Sequence, residues 1–213
     1  MRPLTVVLAT SNEGKVAELR ALLGDLPVEL LSAAQVLGKP LSVAEDALTF
    51  EENAVAKARA VCQATGMLAL ADDSGLEVEA LGGRPGVRSA RFAHERATDA
   101  ENNAALLSAL EDVVERAARF RCVLALVSPW DRDRVRVAEG RCDGQIARAP
   151  RGSGGFGYDP LFVVDGSDGR AMAELTESEK NAVSHRARAA AALRPLLAEL
   201  LDEQLDVAER ICG

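Results

Sequence analysis

Four short segments carry residue types suited to phosphate and base chemistry. In Thr10-Ser11-Asn12-Glu13-Gly14-Lys15, two hydroxyls, an amide and a lysine stand between an apolar run and a helical pattern. Backbone N–H groups at a helix start attract anions and Lys15 adds a full positive charge, which is what a phosphate chain requires. An ordinary N-cap with a solvated lysine has the same composition. Ala71-Asp72-Asp73-Ser74-Gly75 sets two carboxylates side by side after another apolar run. Read as a tight turn, it holds the pair close, a cost that a divalent cation or a shared proton relieves. A solvated acidic turn is the alternative. Glu45-Asp46 is a second acidic pair ahead of a helix, where the helix dipole alone favours it.

Gly152-Ser153-Gly154-Gly155-Phe156-Gly157-Tyr158-Asp159-Pro160 satisfies GxGxxG literally, but its last glycine is followed by Tyr-Asp-Pro and an apolar strand instead of a helix. A dinucleotide-binding fold is rejected on that context. Phe156 and Tyr158 belong to a small aromatic set of one Trp, one Tyr and five Phe. In a glycine loop they either stack on a flat ligand or fold back into the core. Lys180-Asn181-Ala182-Val183-Ser184-His185-Arg186 is the fourth segment. On one continuous helix, Lys180 and Ser184 share a face while His185 and Arg186 swing away. A polar helix surface explains the string; for all four to serve one ligand, the helix must break near Ser184.

The elements that position these segments are legible in outline. Thr5 to Ala9 reads as a buried strand, and Val16, Leu19, Leu22 and Leu23 recur at helical spacing up to Gly24. Capping-box patterns at Thr49-x-x-Glu52, Thr98-x-x-Glu101 and Thr176-x-x-Glu179 open three further helices, the last reaching about Glu203. Met67 to Ala71, Leu76 to Ala80, Phe120 to Val127, Val135 to Ala138 and Pro160 to Val164 read as strands, with a loop at 82–97. The residues from Leu196 to Leu205 read as an amphipathic terminal helix. Helices and strands mix without strict alternation, so one α/β domain over residues 1–213, with a mixed sheet and two lobes, is expected.

Composition narrows the function. With 213 residues, 48% hydrophobic and 27% charged, the chain is an ordinary globular protein and is neither disordered nor fibrous. No apolar run reaches the ~18 residues of a membrane span, and no export signal is present, so the cytoplasm is the expected compartment. A net charge of −8 argues against general binding of nucleic acid or anionic membranes. Cys62, Cys122, Cys142 and Cys212 form no CxxC pair, and with only His94 and His185 no histidine-built zinc site is indicated. Neither GxSxG nor GxxxxGK[ST] occurs, which excludes a P-loop NTPase and weakens a serine hydrolase.

Taken together and in order, TSNEGK, LTFEENAVAKARA, ADDSGL, RPGVRSARFA, GGFGYDP and MAELTESEKNAVSHR resemble the inosine/xanthosine triphosphate pyrophosphatase family over about residues 5–190. The resemblance implies an α/β fold with a long mixed β-sheet flanked by helices, two lobes with a central cleft, a homodimer, Mg²⁺, and hydrolysis of ITP, dITP and XTP to the monophosphate and pyrophosphate. It places Thr10, Ser11, Asn12, Glu13, Gly14 and Lys15 on the triphosphate, and Ser74 on substrate. Asp73 becomes the general base and a metal-linked carboxylate, with Glu45 as the other metal ligand and Asp72 beside them. Phe156, Gly157, Tyr158 and Asp159 hold the nucleoside, with Phe156 stacked on the purine. Lys180 sits on phosphate or near the base, and His185 and Arg186 read the base edge. The chain departs from the family pattern at Arg88, where many relatives carry an aromatic, so no role is carried onto it. The loop 82–97 and the strands near Phe120 are the expected dimer contacts. A Maf-like pyrophosphatase acting on dTTP or UTP is the enzymatic alternative, and a nucleotide sensor without turnover is the non-enzymatic one.

Overall fold

Each apolar run places its alternate residues on opposite faces of one sheet. The elements, in chain order, are β1 (Leu4–Leu8), α1 (Glu13–Leu23), β2 (Val28–Ser32), α2 (Ala33–Leu37), α3 (Phe50–Thr65), β3 (Leu68–Val78), α4 (Asp99–Ala109), β4 (Ala117–Val127), β5 (Val135–Ile146), β6 (Phe162–Val164), α5 (Glu177–Val183) and α6 (His185–Cys212). The computed structural model describes residues 3–212, with side chains to residue 203. The strands form one mixed sheet in the order β2-β1-β3-β4-β5-β6. β1 runs parallel to β2 and β3, and the remaining pairs are antiparallel. This is the mixed α/β architecture expected from the sequence.

On one face, Val6, Leu8, Leu68, Leu70 and Leu124 pack against Leu19 and Leu23 of α1 and Leu193 and Leu197 of α6. On the other, Val7, Ala69, Ala71 and Val123 pack against Ala54, Ala58 and Val61 of α3. A third cluster, with Leu76, Leu106, Leu110, Phe120 and Phe162, fills the end beyond α4.

Several expected boundaries move, for physical reasons. Asp72 to Gly75 is not a turn: β3 continues through it to Val78, paired residue for residue with β4. The long β4 partner supplies the ladder that the polar residues by themselves do not advertise. β5 runs on to Ile146, past the expected end at Ala138, because its inward positions include Gly140 and Gly144, which hide the alternation. β2 and α2 were not expected at all; β2 is a short edge strand with one buried residue, Leu30. Phe120 is buried in a central strand, whereas Arg119 and Arg121 on the opposite face of β4 remain partly exposed and ion-paired to Glu77. Leu205, the last residue of the expected terminal helix, continues α6, but its side chain, like that of Cys212, lies outside those described.

The helix does break at Ser184, whose φ of −66° and ψ of 155° are extended and whose hydroxyl caps Ala187 N at 3.2 Å. The break turns His185 inward, flat against Phe120, with ring centroids 4.7 Å apart. Burial, helped by the Arg186 charge, holds the imidazole well below the ordinary histidine pKa. α6 then passes so close to β5 that a Cβ on Gly140 meets His185 O and Ala189 N at 2.2 Å.

Two stability measurements check this packing. Gly140→Ala should cost about 2–3 kcal/mol in urea unfolding, since backbone on both sides must shift. His185 stays neutral when folded but protonates near pH ~6.5 when unfolded, so its contribution is present above that pH and lost below it, by up to ~1.4 kcal/mol per pH unit. His185→Gln should flatten the stability slope between about pH 6.5 and 5.5; an unchanged slope contradicts the assignment.

Candidate active site

The site grows from the alternation of β3. Asp72 lies on the side of Leu68 and Leu70, facing α1 and α6, while Asp73 lies on the side of Ala69 and Ala71, facing α3. The adjacent carboxylates therefore do not crowd each other as a tight turn would make them. Each has its own cations.

Asp72 has a fully buried side chain. One oxygen takes Lys15 Nζ at 2.6 Å and Ser74 Oγ at 2.9 Å; the other takes Arg186 Nε at 2.7 Å and Cys122 Sγ at 3.2 Å. Burial by itself pushes the carboxyl pKa up, but the charges and hydrogen bonds of Arg186 and Lys15 prevail and hold it well below the usual range. Arg186 also donates to Ser74 Oγ at 2.9 Å and to Glu18. Glu18 pairs with Lys180 at 2.6 Å, and Lys180 with Asp159 at 2.7 Å. Lys15, Asp72, Arg186, Glu18, Lys180 and Asp159 thus form one chain of alternating charge that joins α1, β3, α5, α6 and the glycine loop.

That loop splits its two aromatics. Tyr158 folds back into the core, its hydroxyl donating to Ser89 O at 2.9 Å. Phe156 stays half-buried over the cations, with its centroid 5.0 Å from Lys180 Nζ and 5.8 Å from Arg186 Cζ. Its ring edge presses on Gly14, where a Cβ would sit 2.7 Å from the ring. Asp159 accepts Phe156 N at 3.0 Å, and α4 holds Gly157 through Asp99 and Asn103. Burial raises the Asp159 pKa against the pull of Lys180.

The phosphate-type segment lies between β1 and α1, as its composition suggests. Asn12 caps Lys15 N at 3.1 Å and Thr10 Oγ1 accepts Asn12 N at 3.2 Å. Thr10, Ser11, Asn12, Glu13 and Lys15 line a cavity of about 860 Å³ that also touches Glu45 and Lys57.

On the α3 side, Lys57 Nζ donates to Glu45 Oε1 at 2.7 Å, Asp73 Oδ1 at 2.7 Å and Asp72 O at 2.8 Å. Asn53 Nδ2 reaches the second Asp73 oxygen at 3.3 Å. Burial, with the nearby Glu45 charge, raises the Asp73 pKa despite Lys57. Glu45 is held below the glutamate range because Lys57 and its neighbours outweigh its burial. Asp46, by contrast, is exposed.

Sequence reading missed Lys57, Asn53 and Glu18. The signal for the first two was present: Phe50, Asn53, Ala54, Lys57, Ala58 and Val61 form one buried helical stripe, and two polar residues in such a stripe need buried partners. Glu18 carried no comparable mark, since its partners are far away in the chain.

Two carboxylate oxygens from separate segments, both within hydrogen-bond distance of a single ammonium, suit a hard cation that takes its remaining ligands from water or phosphate. Among the described residues, no group of three or more His, Cys, Asp or Glu side chains is gathered for a metal. Glu45 and Asp73 therefore suit a hard divalent cation only as a shared site completed by a bound ligand, not as a closed protein cage.

The chain is 52% identical over 191 residues to a dITP/XTP pyrophosphatase of Geobacter sulfurreducens, covering 89% of this chain and 94% of that protein. It is 49% identical over 186 residues to the dITP/XTP pyrophosphatase of Escherichia coli O157:H7, covering 86% and 93%. Among solved structures, the HAM1 protein of Coxiella burnetii superposes with a TM-score of 0.83 at 45% identity, over 92% of this chain and 99% of that one. The Ham1 protein of Staphylococcus aureus gives 0.78 at 36%, over 93% and 99%. Residues 6–196 match the Ham1 family, and the chain belongs to it.

Proposed function

We propose that this chain is a nucleoside triphosphate pyrophosphohydrolase that converts ITP, dITP and XTP to the monophosphate and pyrophosphate. The observation that carries this reading is an anion-binding helix start that shares its cavity with Glu45 and Lys57, the same Lys57 ammonium also holding the Asp73 carboxylate. The activity for which the relatives are named points the same way and does not favour the pyrimidine alternative.

In this reading Thr10, Ser11, Asn12, Glu13, Gly14 and Lys15 hold the triphosphate, with the N-terminal N–H groups of α1 aimed at its oxygens. Glu45 and Asp73 would hold Mg²⁺, whose charge would offset that of the phosphates and polarise the scissile bond. Asp73 takes the proton of a water attacking the α-phosphorus. Attack there releases pyrophosphate; attack at the γ-phosphorus would release orthophosphate.

Phe156 offers the purine a flat partner, Gly157, Tyr158 and Asp159 shape the loop around it, and Ser74 contacts substrate beside Arg186. Arg186 has five N–H donors, and Asp72, Glu18 and Ser74 engage one on each nitrogen. Its remaining donors, with Lys180, suit a 6-oxo acceptor, while His185, 5% exposed and stacked on Phe120, packs in the core behind them. Adenine's 6-amino group leaves them unpaired, at ~1–3 kcal/mol each. The whole chain acts as one catalytic unit in the cytoplasm and pairs as a homodimer, with the 82–97 loop and the half-exposed face of β4 as the contact. Among the described residues no helix is long and apolar enough to cross a membrane.

Product analysis tests the activity. ITP and XTP should yield pyrophosphate with Mg²⁺, ATP should react far more slowly, and a strong chelator should stop the reaction. Comparable turnover of ATP ends the specificity claim, and preferential turnover of dTTP or UTP replaces it with the pyrimidine reading. Asp73→Asn should lower kcat by ~10²–10⁴ with the fold intact by circular dichroism. A near-normal rate removes Asp73 as the base.

A further inference from the structure

We propose that Lys57 is the resident cation of the Glu45–Asp73 pair in the nucleotide-free protein, and that the divalent ion enters together with the nucleotide by displacing it. This rests on the metal-assisted reading above and adds an order of binding to it.

The Lys57 ammonium is 7% exposed, and each of its three donors is matched by an acceptor: Glu45 Oε1, Asp73 Oδ1 and Asp72 O. It occupies the position from which one cation faces both carboxylates. Without it, the buried Asp73 carboxylate would face that of the partly exposed Glu45 with no cation between them. With it, a second cation beside them meets a like charge at close range, where screening by water is weak. The free protein is therefore assembled but has little affinity for a divalent ion.

A nucleotide changes this balance. Its phosphates bring acceptors to the cavity that Lys57 lines, so the flexible lysine stem is free to turn while keeping its bond to the Asp72 carbonyl. The carboxylates are then released for the ion that the phosphates carry. The Glu45 segment stays tethered meanwhile, because Asn53 accepts Ala47 N at 3.1 Å and Arg91 donates to the Glu45 carbonyl. Lys57 is in this sense a positioning residue: it keeps the ligand pair in place and keeps the site selective for the metal–nucleotide complex.

Mn²⁺ binding followed by electron paramagnetic resonance tests the proposal without turnover. Wild-type protein alone should bind Mn²⁺ weakly, and adding a non-hydrolysable α,β-methylene ITP analogue should tighten binding. Lys57→Gln, checked for folding by its melting curve, should bind Mn²⁺ in the absence of nucleotide at least about tenfold more tightly than wild type. Adding Glu45→Gln should cancel that gain. Equal or weaker binding by folded Lys57→Gln overturns the exchange. If that variant does not fold, the ¹⁵Nζ resonance of Lys57 in the wild type decides: it should shift when Mg²⁺ and the analogue are added together and not with Mg²⁺ alone. A shift with Mg²⁺ alone, or none with both, overturns the proposal. Failure of Mn²⁺ to bind wild type even with the analogue present is a different result, and it removes the metal-assisted reading itself.

Discussion

A carboxylate with no exposed surface stays ionised only where cations and donors surround it, and Asp72 is such a group. Lys15, Arg186, Ser74 and Cys122 meet its two oxygens, and they come from α1, α6, β3 itself and β4. Removing either cation would leave one oxygen of a buried carboxylate without its ion pair, and breaking a buried pair costs about 3–5 kcal/mol. The demand of this one group fixes where α1 begins relative to β3 and why Arg186, itself 1% exposed, points into the protein.

From that point the charge alternates outward through Glu18 and Lys180 to Asp159, which in turn holds the Phe156 backbone. A chain with an overall charge of −8 thereby concentrates Lys15, Lys57, Lys180 and Arg186 around one location. Each is already partnered by a carboxylate, so the free protein avoids the self-repulsion that unpaired cations would bring. A polyanionic ligand can then exchange for existing partners instead of creating a new charged site.

The parity of β3 is the second organising fact. Because side chains alternate across a strand, neighbours in sequence serve opposite faces. Asp72 belongs to the network with α1 and α6, and Asp73 to the one with α3. One carboxylate is held strongly ionised while the other has its pKa raised. Two identical side chains in succession are given different proton affinities by their surroundings.

Features that depend on local chain chemistry are legible in the amino-acid sequence alone. The threonine caps at Thr49, Thr98 and Thr176 and the Asn12 cap are settled by residues within one helical turn, whereas the break at Ser184 follows from the sequence only if Lys180, Ser184, His185 and Arg186 serve one ligand. The order of motifs likewise suffices to identify the family. What the chain could not disclose were relations set by burial and long-range pairing. The choice of Tyr158 for the core and Phe156 for the cleft depends on Ser89, 69 positions from Tyr158. The extension of β3 through its acidic residues depends on β4, and the cationic role of Lys57 on two carboxylates brought to it from other segments. The sequence determined which groups were present and how each turn begins; only the packed sheet decided which charges face one another, because desolvation acts on neighbours in space.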